Sequence, residues 1–427
     1  MASKIRFFGM TCAVALLAIT GFLLLPEFHA SDNAVASSAT LGSLTEKIAR
    51  GSYLTRIGNC ALCHTARGAD SYAGGRSIVT PFGTVFSSNL TPDTRFGIGA
   101  WTASDFWRAL HHGQSKDGRL LSPAFPYTSY THVTRDDSDA IWAFLQTVKP
   151  SAQPPIAHAM AWPFGTQFAL KTWRTLYFAP GSGPTPARGE YLVRGLGHCY
   201  ECHGQRNALG ALTSASPDRG GVLPGSTWYA PSLRMASEAS VARWDQAAIV
   251  RFLKTGMSGT SWAGGPMTEV VTHGTQYLSD GDAAAVAAFL RDQGLDTAVA
   301  TPLAIPPSPS TVPNAKSAQS YKALYEKHCA DCHGKQGEGE SGAYPALAGN
   351  RALNMVNINN LVLKLMYGGF SPTSVASPRP FGMPPFMLTL NDMEMAGVVT
   401  YIRTSWGNTG ASINEFDINK LRSSLTP

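Results

Sequence analysis

The chain has 427 residues, of which 44% are hydrophobic and 15% are charged, and its formal net charge is +6 at pH 7. This length exceeds what one compact core usually serves, so it indicates two or three domains. The hydrophobic content excludes a largely disordered chain. The sequence has no run of lysines and arginines of the kind that binds nucleic acid, so we exclude that class of partner.

The N-terminal segment has the features of an export signal. Lys4 and Arg6 precede the uncharged stretch 7–25, and small residues follow it. This pattern predicts a signal peptide over residues 1–36, cleaved after Ala36, with a site after Ala30 as the alternative. An uncleaved anchor is the other interpretation, because the stretch approaches the roughly 20 residues that span a bilayer. Either way, the rest of the chain is predicted to work outside the cytoplasm.

Six of the seven cysteines form three pairs of identical spacing, and Cys12 lies in the export segment. The three motifs are Cys60-Ala-Leu-Cys63-His64, Cys199-Tyr-Glu-Cys202-His203 and Cys329-Ala-Asp-Cys332-His333. This CXXCH pattern attaches c-type haem: the two thiols add to the vinyl groups and the histidine ligates the iron. Zinc binding or thiol redox chemistry is the alternative. Zinc would need a fourth ligand at similar spacing around each pair, and none is visible, so we predict three covalent haem c groups.

The motifs belong to a longer repeat. Each closing segment begins with a residue suited to cap a helix, Thr134, Ser279 or Asn391, and an acidic residue follows three positions later. Middle helices are predicted over 101–113 and 244–256, with a counterpart over 360–368. Little alternating strand pattern is present. The prediction is an all-α chain with three tandem domains, each running from a first helix through CXXCH and a middle helix to a closing helix.

Linkers and repeats together predict the domain boundaries. We call the repeats unit 1 (40–150), unit 2 (187–294) and unit 3 (317–410), with a C-terminal tail over 411–427. The first linker, 151–186, is rich in proline and in aromatic residues, which predicts that it packs between units 1 and 2. The second linker, 295–316, is rich in proline and is predicted to be extended.

A haem iron of this type usually takes a methionine as its sixth ligand, from the loop before the closing helix. Met267 and Met383 occupy that loop in units 2 and 3, each beside a proline. In unit 1 the same window carries Phe125. The sixth ligand of haem 1 is therefore open: it is absent, or it is one of His132, Met160, His111 and His112. The last two lie at the end of the middle helix, where a histidine can instead complement the helix dipole.

Longer segments around these motifs carry a family resemblance. They are 80–93, 97–101, 195–199, 264–271, 344–350 and 401–408. With them the chain resembles the triheme cytochrome c subunit of membrane-associated bacterial dehydrogenase complexes, such as the alcohol, gluconate, sorbitol and fructose dehydrogenases. The resemblance implies three tandem class I-like cytochrome c domains, with Met267 and Met383 as axial ligands. Phe125 departs from the pattern of the alcohol dehydrogenase subunits, which commonly have methionine at this position. The Phe-Pro-Tyr sequence that begins at Phe125 resembles that of cytochrome partners of molybdenum hydroxylases.

The predicted function follows from this resemblance. It implies a subunit that is not an enzyme by itself and that passes electrons from a catalytic dehydrogenase subunit, of the quinoprotein, flavoprotein or molybdenum type. Ubiquinone or a terminal oxidase would accept the electrons. The expected location is the periplasm, at the outer face of the bacterial inner membrane, held peripherally or through the N-terminal segment. The alternative is a peroxidase-like haem enzyme with an open, five-coordinate haem 1.

Overall fold

The computed structural model describes residues 42–181, 185–213, 218–294 and 315–424. The predicted signal peptide and nearly all of the second linker lie outside the described residues. Unit 1 contains α1 (Leu44–Ile57), α2 (Cys60–His64), β1 (Ser77–Thr80), β2 (Gly83–Phe86), α3 (Ala103–His112), α4 (Tyr127–Tyr130) and α5 (Arg135–Leu145). The first linker contains β3 (Ala159–Met160) and α6 (Gln167–Tyr177).

Units 2 and 3 repeat this order of helices. Unit 2 contains α7 (Arg188–Glu190), a π-helical turn (Tyr191–Leu196), α8 (Tyr200–His203), β4 (Gly221–Val222), β5 (Tyr229–Ala230), α9 (Gln246–Thr255), β6 (Met257–Ser258), β7 (Ser261–Trp262), α10 (Pro266–His273), a 3₁₀ turn (Thr275–Tyr277) and α11 (Asp280–Asp292). Unit 3 contains α12 (Ala315–His328), α13 (Ala330–His333), a 3₁₀ turn (Arg351–Asn354), α14 (Asn359–Tyr367), β8 (Gly369–Phe370), β9 (Gly382–Met383) and α15 (Asp392–Thr404). It is followed by α16 (Glu415–Ser423).

The predicted helix boundaries are confirmed by their caps. The side chains of Thr134, Ser279 and Asn391 each accept a hydrogen bond from the backbone N–H three residues later. These bonds satisfy amides that would otherwise be unpaired at the helix start. The middle helices α3 and α9 end at Gly113 and Gly256, whose φ values of 60° and 74° fit the left-handed cap that glycine favours.

The first helix of each unit packs closely on the closing helix. In unit 1 a side chain at Gly51 would place its Cβ 1.9 Å from the backbone oxygen of Ala140, and Gly189 meets Ala285 in the same way in unit 2. In unit 3 the glycine is on the closing helix instead, where Gly397 lies against the ring of Tyr321. The close approach of the two helices is thus kept in all three units, while the residue that permits it changes.

Units 1 and 2 share one hydrophobic core, whereas unit 3 has its own. The shared core contains fully buried leucines from both units, among them Leu54, Leu145 and Leu192. The separate core of unit 3 is built around Val362, Met366 and Val399. Units 1 and 2 therefore form one packed body, which we call the paired units.

Equivalent hydrogen bonds run in both directions between the paired units. The hydroxyl of Tyr53 in unit 1 donates to Asp282 in unit 2 at 2.6 Å, and the hydroxyl of Tyr191 in unit 2 donates to Asp137 in unit 1, also at 2.6 Å. Each aspartate also pairs with an arginine of its own unit, Arg50 with Asp137 and Arg188 with Asp282. Because Tyr53 and Tyr191 hold the same place in the repeat, the two contacts are related by an approximate two-fold axis.

The salt bridge of Asp282 predicts an acid-sensitive contribution to stability. Hydrogen bonds from Arg188 hold the pKa of Asp282 below its ordinary value of 3.8. A carboxylate with a depressed folded-state pKa stabilises the fold fully above its unfolded pKa, and this contribution is lost as the pH falls through the lower folded value. We therefore expect the stability difference between the wild type and Asp282→Asn to shrink as the pH falls from 5 to below 3.8, measured by urea unfolding. A difference that grows with falling pH would contradict this assignment.

The first linker packs between units 1 and 2, as predicted. Trp173 of α6 donates from its indole nitrogen to the backbone oxygen of Leu209 in unit 2, at 2.9 Å. Arg174 of the same helix donates to the backbone oxygen of His112 in unit 1, and β3 pairs with β2. Helix α6 and strand β3 of the linker thus belong to the packed body, although Trp162 stays 86% exposed.

The strands correct the all-α prediction. The strands β1, β2 and β3 form an antiparallel sheet. The remaining strands have two residues each and pair to form two-stranded antiparallel sheets. Each strand has at most four residues, which is too short for alternation to stand out in the sequence. The structure is therefore mainly helical, with hairpins inserted between the helices. Within the described residues, no helix combines the length and the hydropathy needed to cross a bilayer.

Candidate functional site

Each CXXCH motif forms a short helix that follows the first helix of its unit. In units 1 and 2 the residue before the first cysteine, Asn59 or His198, has a positive φ of 51° or 39°. This left-handed residue turns the chain sharply between the two helices. The first cysteine of each motif packs on a core, Cys60 and Cys199 on the shared core and Cys329 on the core of unit 3.

The three motif histidines are held by the same kind of contact. Nδ1 of His64 lies 2.7 Å from the backbone oxygen of Ser88, Nδ1 of His203 lies 2.7 Å from that of Pro231, and Nδ1 of His333 lies 2.9 Å from that of Pro345. A carbonyl can only accept, so Nδ1 carries the proton and Nε2 keeps a free lone pair. This arrangement is typical of a histidine that ligates a metal through Nε2. Sequence reasoning missed these three carbonyls.

Burial sets the protonation of the motif side chains. It lowers the pKa of His64, His203 and His333, so the imidazoles are neutral at pH 7 and can act as ligands. Burial also raises the pKa of the Cys60 and Cys199 thiols to about 12 and that of Cys329 to about 11. Burial therefore favours the neutral form of these three thiols.

A single continuous cavity of about 2480 Å³ reaches all three motifs. All six motif cysteines and the three motif histidines line it, and hydrophobic side chains such as Phe106, Trp244 and Phe386 form much of the remaining wall. Pockets for one small ligand usually measure about 300–1,000 Å³, so this cavity has room for more than one large flat group. Apolar walls, paired thiols and imidazoles with free Nε2 atoms are what haem attachment needs, and the residues present fit haem.

Both methionines predicted as sixth ligands line the cavity. Met267 is the second residue of α10, after Gly265 and Pro266. Met383 lies in β9 and pairs with Gly369 of β8, the strand that follows the middle helix α14. The structure thus brings each methionine to the same cavity as the motif of its unit.

Only some of the candidate sixth ligands of haem 1 line the cavity. Phe125 and Met160 line the cavity, whereas His111, His112 and His132 are not among its lining residues. The ring of His111 stacks on Trp107, with ring centroids 4.3 Å apart. His158, which sequence reasoning did not consider, also lines the cavity.

Comparisons with known proteins agree with this site. The cytochrome c family model matches residues 319–406, which covers the third motif and the closing helix of unit 3. The chain is 38% identical over 407 residues to the cytochrome c subunit of a quinone-dependent alcohol dehydrogenase from Gluconacetobacter polyoxogenes, covering 89% of this chain and 85% of the relative. The chain belongs to the family of dehydrogenase cytochrome c subunits.

Two further relatives are also similar to this chain over most of its length. The gluconate 2-dehydrogenase cytochrome c subunit of Pantoea cypripedii is 34% identical, with 89% of this chain and 90% of the relative covered. The fructose dehydrogenase cytochrome subunit of Gluconobacter japonicus is 33% identical, with 88% of this chain and 82% of the relative covered. These names describe electron-transfer subunits rather than catalytic ones, and a cytochrome c domain binds haem c covalently.

The family assignment confirms the resemblance inferred from the motifs. It also removes the support for an independent peroxidase, since the relatives are named as cytochrome subunits. The described residues of this cytochrome c subunit contain no group of three or more His, Cys, Asp or Glu side chains arranged to hold a metal ion.

Proposed function

We propose that this cytochrome c subunit carries three haem c groups and passes electrons from a catalytic dehydrogenase subunit to a quinone or an oxidase. The observation that carries the proposal is the continuous cavity, because three identical motifs line it. The covalent attachment sites would be Cys60, Cys63, Cys199, Cys202, Cys329 and Cys332. The iron ligands would be His64, His203 and His333, with Met267 and Met383 opposite the histidines of units 2 and 3.

The proposed domain organisation follows the three units. Residues 40–150, 187–294 and 317–410 would each form a class I-like cytochrome c domain. The support is the recurrence of one order of helices, with equivalent caps at Thr134, Ser279 and Asn391.

The protein side chains prepare the sites. When bound, haem supplies reversible one-electron chemistry at its iron. The carbonyls of Ser88, Pro231 and Pro345 orient the histidine rings and fix their protonation. The thioethers of Met267 and Met383 would raise the reduction potential, and the apolar walls limit access of water.

The donor and the location rest on the relatives and on the N-terminus. The relatives are named as subunits of alcohol, gluconate and fructose dehydrogenases, so we expect a quinoprotein or flavoprotein donor, with a molybdenum enzyme as the alternative. The signal-like segment 1–36 supports the periplasm, at the outer face of the inner membrane. Purification of the native complex tests this part, because a co-purifying quinone cofactor, flavin or molybdenum identifies the donor.

The number of haems is tested by removing the attachment sites one unit at a time. We expect the secreted protein to carry three haems, measured by intact mass and by the haem absorbance of the denatured protein. The variants C60A/C63A, C199A/C202A and C329A/C332A should each carry two haems, because thioether bonds need the thiols. Cys12→Ala is the control and should keep three. A wild-type protein with fewer than three haems would contradict the proposal.

A further inference from the structure

The chain after the middle helix follows the same path in units 1 and 2. The backbone N–H of Leu121 donates to the oxygen of Gly113 at 2.8 Å, and the backbone N–H of Ala263 donates to the oxygen of Gly256 at 2.7 Å. Four residues after these anchor points come Phe125 in unit 1 and Met267 in unit 2. The backbone therefore gives Phe125 the place that the proposed ligand methionine has in unit 2.

The ring of Phe125 lies among apolar side chains and a hydrogen-bonded tyrosine. Its ring packs on Tyr130, with centroids 5.4 Å apart, and the Tyr130 hydroxyl donates to the backbone oxygen of Gly58 at 3.3 Å. The neighbouring core residues, Leu110 and Val133 among them, are buried and apolar. A phenyl ring has no lone pair for iron. The ring of His198 in unit 2 lies 5.5 Å from that of Tyr130 and is held through Nε2, which donates to the backbone oxygen of Gly58 at 3.3 Å.

The histidine candidates are held elsewhere. His111 stacks on Trp107, and His132 lies against Gly181 and Gly195, outside the cavity lining. His158 lines the cavity, but its Nδ1 accepts the backbone N–H of Phe86 at 3.2 Å. In the neutral ring the proton is then on Nε2, which has no lone pair to offer.

Met160 also lines the cavity. It lies in β3, which pairs with β2 at Gly83. The strand β2 ends two residues before Ser88, whose carbonyl orients His64. In unit 2 the corresponding hairpin, β4 and β5, likewise leads into Pro231, the residue that orients His203, while Met267 comes from a different loop. Met160 thus comes from the hairpin, whereas the proposed ligand methionine of unit 2 comes from the loop whose counterpart in unit 1 carries Phe125.

We propose that the iron of haem 1 has no side-chain ligand opposite His64 and that this position binds small neutral molecules of the carbon monoxide or nitric oxide type. The inference rests on the proposed function only in that unit 1 must hold a haem. The apolar surroundings of Phe125 favour a neutral diatomic molecule over an anion such as azide, because burying an unpaired charge is costly. Units 2 and 3, with Met267 and Met383, are closed to such ligands.

The experiment is a carbon monoxide titration of the reduced full-length protein, after its three haems have been counted. We expect one carbon monoxide per molecule and, in the oxidised protein, a high-spin signal from about one haem in three by electron paramagnetic resonance. Azide should leave the spectrum unchanged. Phe125→Met should abolish both signals, because a thioether then fills the position. Phe125→Leu, which restores no sulfur, should keep them.

Four further outcomes separate the possible explanations. Carbon monoxide binding should disappear in C60A/C63A, which keeps two haems, and its persistence there would place the open position in another unit and overturn the inference. Met160→Leu should change nothing, and the appearance of carbon monoxide binding only in that variant would identify Met160 as the ligand. Three low-spin haems that do not bind carbon monoxide would also overturn the inference, although the proposed function would still stand. Absence of a haem from unit 1 would defeat both.

Discussion

Replacing Asp137 with alanine should destabilise units 1 and 2 together. The Asp137 carboxylate is almost fully buried and binds Arg50 of its own unit and the Tyr191 hydroxyl of the other unit. Its removal leaves the buried Tyr191 hydroxyl without an acceptor and Arg50 without its carboxylate partner, and Arg188 loses a second carboxylate at 3.9 Å while keeping Asp282. Arg50 and Arg188 are partly exposed, which reduces the electrostatic loss. We expect a loss of about 3 kcal/mol in the free energy of unfolding of the paired units.

Hydrogen exchange resolved by segment measures this effect. Amides of α1 and of the 185–203 segment should exchange faster to a similar degree, because the two units share a core, whereas α12 of unit 3 should not change. Asp292→Ala is the matched control: its side chain is 68% exposed and lies near Arg291 at the end of α11. If Asp137→Ala accelerated hydrogen exchange in unit 1 alone, the tyrosine–aspartate hydrogen bonds between the units would not couple their stabilities.

Replacing Arg403 with methionine should have a comparable effect in unit 3. Arg403 is 1% exposed, and its guanidinium donates to the backbone oxygens of Leu353, Met355 and Ala411 at 2.7, 3.0 and 2.8 Å. Burial lowers its pKa to about 10, so it remains charged at pH 7. Methionine fills part of the volume but leaves three buried carbonyls without this donor. We expect unit 3 to lose about 3–5 kcal/mol.

The control for this change is Arg379→Met, since Arg379 is an exposed arginine of the same unit. Hydrogen exchange in α14 and α15 should accelerate for Arg403→Met and stay the same for Arg379→Met. Because the core of unit 3 is separate, α1 and α5 should exchange at the wild-type rate in both variants. Equal destabilisation of units 1 and 2 by Arg403→Met would contradict the separation of the cores.

Local signals in the sequence were sufficient for much of this structure. A cap such as Asn391 acts within three residues, and the glycines that end α3 and α9 need only their own backbone angles, so both were predictable. The haem motifs are equally local, because the chemistry fixes their spacing.

Other features depend on residues far apart in the sequence. Ser88 orients His64 from 24 residues away, and Tyr53 reaches Asp282 across 229 residues. No spacing in the sequence signals such partners. The short hairpins were missed for a different reason, since strands of two to four residues carry too little alternation to be recognised. The tail was predicted only as a tail, yet it forms α16, where Ile418 is fully buried against unit 3.

The hydrogen bonds of Tyr53 to Asp282 and of Tyr191 to Asp137 are equivalent contacts made in opposite directions. They make the first two thirds of the molecule similar to a homodimer encoded in one polypeptide. In such an arrangement the contacts themselves, rather than the covalent connection, keep the halves together. A nick in the peptide chain between them would therefore leave the assembly intact. A substitution on one side would favour a compensating change at the equivalent place on the other, so the two repeats are expected to drift in step during evolution.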